Sequence, residues 1–248
     1  MRPILLLFFI LQASPVIAHP LFKGFTADYS VSRNGTILGV SKRRLVMRED
    51  GKILDYASTT IPQGVIALFI SDRFMEHSLI HITSKGIQPR RYDYQRTGGK
   101  KEIIFQARFD WQKNHILMSN QQAPQAILPN TQDLLSFQLV LMKGLYLGQR
   151  QFKFHIVDHK RIQQQTLNYT QAQKINSSHG ELDVLQLEQH TEKNKYRFSF
   201  RCAKQLYYLP VSIRKTEQDG DVIELNLTRF NNKPFHLYKQ QEEEEYSD

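Results

Sequence analysis

Four histidines stand in pairs whose spacing could suit a metal ion. His77 and His81 are four residues apart, and so are His155 and His159. Both pairs lie in strand-like sequence, where residues four apart share a face but stand about 13 Å from each other, too far to bind one metal ion. The glutamate that follows the first histidine in helical zinc-protease motifs is also missing. We interpret these histidines as structural or surface residues and predict no metal and no cofactor.

Candidate nucleophiles are few. Cys202 is the one cysteine of the chain and continues a strand-like alternation that begins at Tyr196, which predicts a buried, unreactive thiol. No Gly-x-Ser-x-Gly elbow, phosphate-binding glycine loop or dinucleotide fingerprint occurs. The sequence therefore predicts no catalytic residue.

Asp133 and Ser136 allow two interpretations. The simpler one is that Asp133 favours the start of a helix and Ser136 bonds to the backbone. In the alternative, Gln132, Asp133 and Ser136 form a polar stripe that meets a buried basic residue or the head group of a ligand. Both interpretations need a helix to present these side chains.

A single convincing helix is predicted from Gln132 to Lys143. Asn130 or Thr131 could cap it, Lys143 suits its last turn, and Gly144 follows. Apart from the polar stripe, apolar residues cover most of its circumference: Leu134, Leu135, Phe137, Leu139, Leu141 and Met142. Such a helix must be enclosed by other elements.

Almost everything else predicts strands. About a dozen segments alternate between apolar and polar residues at a spacing of 8 to 12 residues, with turns such as Asn34-Gly35 between them. The fold class is therefore mainly β, a strongly curved antiparallel sheet or open β-barrel wrapped around one central helix. The run Val65–Ile70 is apolar without a break, so we expect it to be covered, either as a buried strand or as a short helix that fills the interior.

The two ends of the chain differ from this body. Residues 1–18 combine a basic start, a short apolar run and Ala18 before a cleavage point, which predicts a signal peptide and export to the bacterial periplasm or cell envelope. Residues 19–232 are expected to form a single β-rich domain, and residues 233–248 an acidic, disordered tail. No further apolar run is long enough for a transmembrane segment.

The charge and composition of the chain limit the classes of binding partner that we expect. The formal net charge is +9, which suits acidic envelope components or simply solubility. No arginine-rich helix, zinc pattern or aromatic RNA-binding signature is present, so nucleic acid is not an expected partner.

Several short motifs, in this order, resemble exported bacterial proteins grouped as domain of unknown function 3108. They are Phe25–Tyr29 followed by Gly35 and Gly39, Gly86–Pro89, Phe109-Asp110-Trp111, Gln132–Ser136, Tyr208–Val211 and Asp219-Gly220. The resemblance implies an envelope protein with no assigned activity. In shape the family is also similar to lipoprotein-carrier proteins, whose curved sheet holds helices in an apolar concavity.

Two leading functional hypotheses follow, and a third, an envelope hydrolase, ranks last because the sequence shows no pair of nucleophile and base. In the first, a non-enzymatic exported protein binds an acyl chain, a lipid or another hydrophobic envelope ligand in the concavity of its sheet. The expected lining residues are Leu134, Phe137, Leu141, Val65, Ile66 and Phe69. In the second, the protein is a structural or scaffolding component that binds an envelope protein through its rim or edge strands.

Overall fold

The computed structural model describes residues 24–48, 51–189 and 196–232. The predicted signal peptide and the predicted acidic tail lie outside these residues. Within the described part, fifteen strands form one sheet: β1 (Phe25–Arg33), β2 (Thr36–Arg48), β3 (Ile53–Pro62), β4 (Arg73–Thr83), β5 (Gly86–Thr97), β6 (Ile103–Asp110), β7 (His115–Met118), β8 (Gln125–Ala126), β9 (Thr131–Asp133), β10 (Gln151–Val157), β11 (Ile162–Ser177), β12 (Gly180–Gln189), β13 (Tyr196–Ala203), β14 (Leu209–Glu217) and β15 (Val222–Asn231). The helix α1 spans Ser136–Tyr146.

The strand order explains how the sheet curls. It descends from β8 to β1, where β1 pairs with β15, and then descends from β15 to β9. The two edge strands, β8 and β9, are therefore at opposite ends of the order but adjacent in sequence. Ala126 and Thr131 are five residues apart, so the edges lie within about 18 Å of each other. The predicted mainly β, strongly curved sheet is confirmed, and every pairing is antiparallel except that of β9 with β10.

Two apolar clusters lie on different sides of α1. Leu135, Leu139 and Met142 pack with the residues that β1 to β7 direct inward. Phe137, Leu141 and Leu145 pack with residues of β10 to β14. The sheet thus encloses the helix from both halves, as the nearly all-round apolar pattern of the helix requires.

The helix begins four residues later than predicted. The Thr131 hydroxyl forms hydrogen bonds with the backbone N–H and carbonyl of Leu128, and Thr131 itself belongs to β9. Neither Thr131 nor Asn130 therefore caps the helix. At the other end, Gly144 lies inside α1 instead of beyond it. The left-handed residue that follows the helix is Gly148, at φ +85°, and its N–H bonds to the carbonyl of Leu145.

The expectation that Val65–Ile70 is covered is wrong. Residues Gly64–Leu68 form a 3-10 helix in which no residue is buried. The segment connects the paired strands β3 and β4 at one end of the sheet. A continuous apolar run contains no information about which end of a sheet it occupies, which is why periodicity could not locate it.

Candidate functional site

The start of the helix is held by a reciprocal pair of hydrogen bonds. Asp133 Oδ1 accepts from the backbone N–H groups of Leu135 and Ser136, each at 2.8 Å. Ser136 Oγ accepts in return from the N–H of Asp133 at 2.9 Å. These reciprocal bonds have the pattern of a capping box, in which side chains satisfy backbone donors, and they lie in the turn that leads into α1. The main role of Asp133 and Ser136 is therefore to stabilise the backbone at the start of the helix.

Asp133 also joins the helix to the sheet. Its Oδ2 accepts a hydrogen bond of 2.6 Å from the Ser78 hydroxyl of β4. Both side chains are fully buried. Burial raises the pKa of Asp133, and the bonds from Ser78, Ser136 and Leu135 only partly offset that effect.

Gln132, the third residue of the predicted stripe, points to another strand. Its Nε2 donates to the carbonyl of Ile87 on β5 at 3.0 Å, so it links the edge strand β9 to the far half of the sheet. Its Oε1 is buried and has no hydrogen-bond partner among the described residues. The three stripe residues thus lie together, each with contacts inside the protein.

A buried basic residue does meet the helix, but through a different side chain. Arg43 Nη1 donates to Gln138 Oε1 at 2.5 Å, and Gln138 Nε2 donates to the carbonyl of Leu134 at 2.8 Å. The Arg43 guanidinium also lies 4.7 Å from the centre of the Tyr29 ring. Only 7% of Arg43 is exposed, and its Nε has no hydrogen-bond partner among the described residues.

Two more polar residues extend this buried layer along β4 and β5. Tyr92 donates from its hydroxyl to Glu76 at 2.6 Å. Burial raises the pKa of Glu76, while the bond from Tyr92 and the positive charge of Arg43 act in the opposite direction. The layer therefore couples the helix to β1, β2, β4 and β5. Apart from Gln132 Oε1 and Arg43 Nε, its groups are engaged with other groups of the protein, as expected for a structural network in a low-dielectric interior.

The histidines and the thiol occupy the positions of structural residues. His77 Nε2 lies 2.7 Å from Asp55 Oδ1, and His159 stacks on Tyr94 with ring centres 4.5 Å apart. Cys202 is fully buried, and burial raises the pKa of its thiol. Within the described ranges, no group of three or more histidine, cysteine or acidic side chains is placed to hold a metal ion.

Leu134, Phe137 and Leu141, the helix residues expected to line a cavity, are part of the packed core. The Phe137 ring makes edge contacts with Phe154 and Phe200 at centroid distances of 5.8 and 5.9 Å. Leu141 is completely buried in the same cluster, and Leu134 lies where the two clusters meet. These side chains contact other side chains of the protein at close-packed distances.

Val65, Ile66 and Phe69, the other expected lining residues, are far from that core. Val65, Leu68 and Phe69 are 73%, 81% and 81% exposed, and we call these three residues the apolar tip. Ile66 is only partly exposed, and its carbonyl accepts from the N–H groups of Phe69 and Ile70. The structure thus separates the predicted lining residues into a core group and a surface group.

Beside the apolar tip is a cleft of about 350 Å³, which we call the rim cleft. Its lining combines apolar residues with one charged side chain: Ile61, Pro62, Ala67, Ile70, Ser71, Arg73, Thr97 and Gly98. Sequence reasoning missed this cleft because its walls come from the ends of β3, β4 and β5. Only the pairing of those strands brings the residues together.

Basic residues lie in the β5–β6 turn, which packs on residues just after the apolar tip. We call residues 64–72 the tip segment, and at its end the Ser71 hydroxyl donates to the carbonyl of Gly98. A Cβ atom added at Gly99 would overlap the side chain of Asp72, which shows how close the two segments are. Lys100 and Lys101 follow in the same turn and are exposed. No helix of the described residues is long and apolar enough to cross a bilayer.

Comparisons with known proteins agree with this architecture. No curated protein matches the chain. Among solved structures, the chain is similar to a β-barrel-like protein of domain of unknown function DUF1849 from Brucella abortus, with a TM-score of 0.56 and 10% sequence identity. The match covers 84% of this chain and 97% of that one, and at this identity it shows a shared fold alone. A family model described as "Protein of unknown function (DUF3108)" matches residues 27–228. The resemblance found in the sequence is therefore confirmed, and the chain belongs to the DUF3108 family.

Proposed function

We propose that this protein is exported to the bacterial cell envelope, where it binds a lipid through its apolar tip and rim cleft. The observation that carries the proposal is the exposure of Val65, Leu68 and Phe69, which lie in a single short 3-10 helix and at the residue directly after it. Large apolar side chains grouped on a surface are typical of sites that bind a membrane, a ligand or a partner. Exposure of these three side chains to water is unfavourable, so binding to an apolar partner that removes them from water would lower the free energy.

The rim cleft suits an amphiphilic ligand. Its volume of about 350 Å³ is at the lower end of the range found for small-molecule pockets. Ile61, Pro62 and Ile70 offer an apolar wall for part of an acyl chain, while Arg73 offers a positive charge for an acidic head group. An acidic lipid would use both kinds of lining.

Charge around the apolar tip favours the same partner. Lys100 and Lys101 are exposed beside the tip segment, and the chain as a whole has a formal net charge of +9. Basic side chains near a membrane surface are attracted to acidic lipids by about 1 kcal/mol each. Combined with apolar side chains, they give the pattern of a protein that lies on a membrane surface.

Export is supported by the sequence of residues 1–18, which has the three parts of a signal peptide. The packing of Phe137 and Leu141 in the core favours the rim over the interior as the place where a ligand binds. The lipid-binding hypothesis therefore moves from the concavity around the helix to the end of the sheet.

The test is to purify the protein from bacterial envelopes in mild detergent and identify bound lipids by mass spectrometry after extraction. Wild-type protein should carry acyl lipid, and a Val65→Ser/Phe69→Ser variant should lose most of it. Leu117→Ser is the matched control, because Leu117 is also an exposed apolar residue but lies on β7. Lipid-free wild-type protein, or equal lipid in all three proteins, would contradict the proposal.

A further inference from the structure

A polar groove of about 220 Å³ lies on the sheet at β12, β13 and β14. The lining residues that matter here are Glu188, Gln189, Arg197, Ser199, Arg201 and Arg214. Arg197, Ser199 and Arg201 alternate along β13 with Phe200 and Cys202, which are buried in the core. The three residues therefore lie on the outer face of the sheet.

The register of the strands places three arginines around one hydroxyl. Arg197 and Arg201 precede and follow Ser199 by two residues on the same face, so each lies about 7 Å along the strand from it. Arg214 of β14 is paired directly with Ser199. On the other side, Glu188 of β12 is paired with Ser199 as well. On the outer face of the sheet, Ser199 is therefore surrounded by three arginines and one glutamate.

The positive charges are only partly neutralised. Arg214 forms an ion pair with Glu224 of β15 at 2.7 Å. Glu188 accepts a hydrogen bond of 2.8 Å from the side-chain amide of Gln186. Arg197 and Arg201 have no ion pair or side-chain hydrogen bond to another described residue. Two guanidinium groups of the groove are therefore available to an anion.

Gln189 borders the groove but does not face it. It alternates along β12 with the buried residues Leu185 and Leu187 and is itself only 4% exposed, so its amide lies on the inner face of the sheet, opposite to Ser199. The groups that face an anion in the groove are therefore the two unpaired guanidinium groups and the Ser199 hydroxyl.

We propose that this groove binds a phosphate group, centred over Ser199 and held by Arg197 and Arg201. Guanidinium groups bind phosphate oxygens through paired, charge-assisted hydrogen bonds, and the Ser199 hydroxyl adds a further donor. Glu188 opposes a second negative charge on the ligand, so the groove favours a phosphodiester monoanion over a phosphate dianion. The phosphate could be free in solution or part of a lipid head group, and the site lies on different strands from the rim cleft.

The experiment is an NMR titration of the purified protein with dimethyl phosphate and with inorganic phosphate, at constant ionic strength maintained with sodium chloride. Saturable shifts are expected at the backbone amide of Ser199 and at the guanidinium groups of Arg197 and Arg201. Arg197→Gln and Arg201→Gln should each weaken binding about tenfold, since each removes charged hydrogen bonds. Glu188→Gln should tighten the binding of inorganic phosphate more than that of dimethyl phosphate. Arg229→Gln, an exposed arginine on β15 outside the groove, is the control and should bind like wild type.

The proposal is overturned if no saturable shift appears, if chloride alone produces the same shifts, or if Arg201→Gln and Arg229→Gln bind phosphate equally. Circular dichroism of each variant establishes that the fold is retained. Tighter binding of dimethyl phosphate than of inorganic phosphate indicates a lipid head group, and the reverse order indicates free phosphate. To test whether the groove is independent of the tip, the Val65→Ser/Phe69→Ser variant is titrated in parallel. It should bind dimethyl phosphate normally even where it has lost acyl lipid, because the two sites are separate. Loss of phosphate binding in that variant would contradict a site independent of the tip.

Discussion

Arg43 on β2 donates a hydrogen bond of 2.5 Å to Gln138 in the middle of α1, across 95 residues of sequence. Gln138 lies in an otherwise apolar arc of the helix, and this bond explains why a polar side chain is there. Both residues are buried, so the guanidinium depends on the amide oxygen for part of its solvation. The contact fixes the position of the helix against the first half of the sheet.

Gln138→Leu is expected to lower the free energy of unfolding by about 2 to 3 kcal/mol, because it leaves a buried charged donor without its acceptor. Urea denaturation measures the change. The double variant Arg43→Met/Gln138→Leu should recover about 1 kcal/mol or more, since it removes the unsatisfied charge as well. A Gln138→Leu variant as stable as wild type would show that the contact contributes little.

Asp133→Ala should cost about 3 kcal/mol, because it removes the acceptor for two backbone N–H groups and for Ser78. Asp133→Asn keeps an oxygen at the cap and removes a carboxyl whose ionisation burial disfavours, so it should cost clearly less. The two variants are compared by thermal and urea unfolding. Equal losses would mean that the negative charge, and not the acceptor geometry, is what the helix start requires.

His77 makes a pH-dependent contribution to the stability of the fold. The hydrogen bond to Asp55 raises the pKa of His77 above its ordinary value, and the same contact lowers the pKa of Asp55. A raised histidine pKa stabilises the fold fully below the unfolded-state value of about 6.5, and this stabilisation is lost as the pH rises through the folded-state value. The urea midpoints of wild type and His77→Gln should therefore differ more at pH 5.5 than at pH 8.5. A difference that is larger at pH 8.5 would contradict this contact.

At Gly144, helix propensity and core packing predict opposite effects of an alanine substitution. An alanine inside a helix is favoured over glycine by about 1 kcal/mol. A Cβ atom at Gly144, however, would overlap the ring of Phe152, and overpacking of a filled core costs about 1 to 3 kcal/mol. We expect Gly144→Ala to be destabilising by about 1 kcal/mol in urea denaturation. Combined with Phe152→Leu, the substitution should cost less than the sum of the two single changes.

The sequence predicted the regular parts of the fold because their signals are local. Alternation located the long strands, and Asn34-Gly35 does adopt the two positive φ angles, +50° and +81°, of a hairpin turn. The helix was found but its start was misplaced, because Thr131 to Asp133 pair with β10 as a strand and Asp133 bonds to Ser78, and both contacts are distant in sequence. Gly144 resembled a helix end, although its role is to let Phe152 approach.

The candidate sites were harder to predict because each depends on strand pairing. Arg43 follows the same alternation as Ser41 and Leu45, so its inward position could have been read from the pattern, but its partner Gln138 could not. The rim cleft and the phosphate groove each combine residues of three or more strands. The apolar tip was recognised as an unusual run, and only the structure places it outside the enclosed core.

The most direct test of lipid binding is the fluorescence of a Phe69→Trp variant mixed with vesicles of acidic phospholipid. The chain has a single tryptophan, Trp111, so the parent protein provides the reference emission. If the apolar tip enters the membrane surface, the emission attributable to position 69 should shift to shorter wavelength and be quenched by brominated acyl chains. An emission that stays at the wavelength of a water-exposed indole, in a protein that remains folded, would contradict the proposed function.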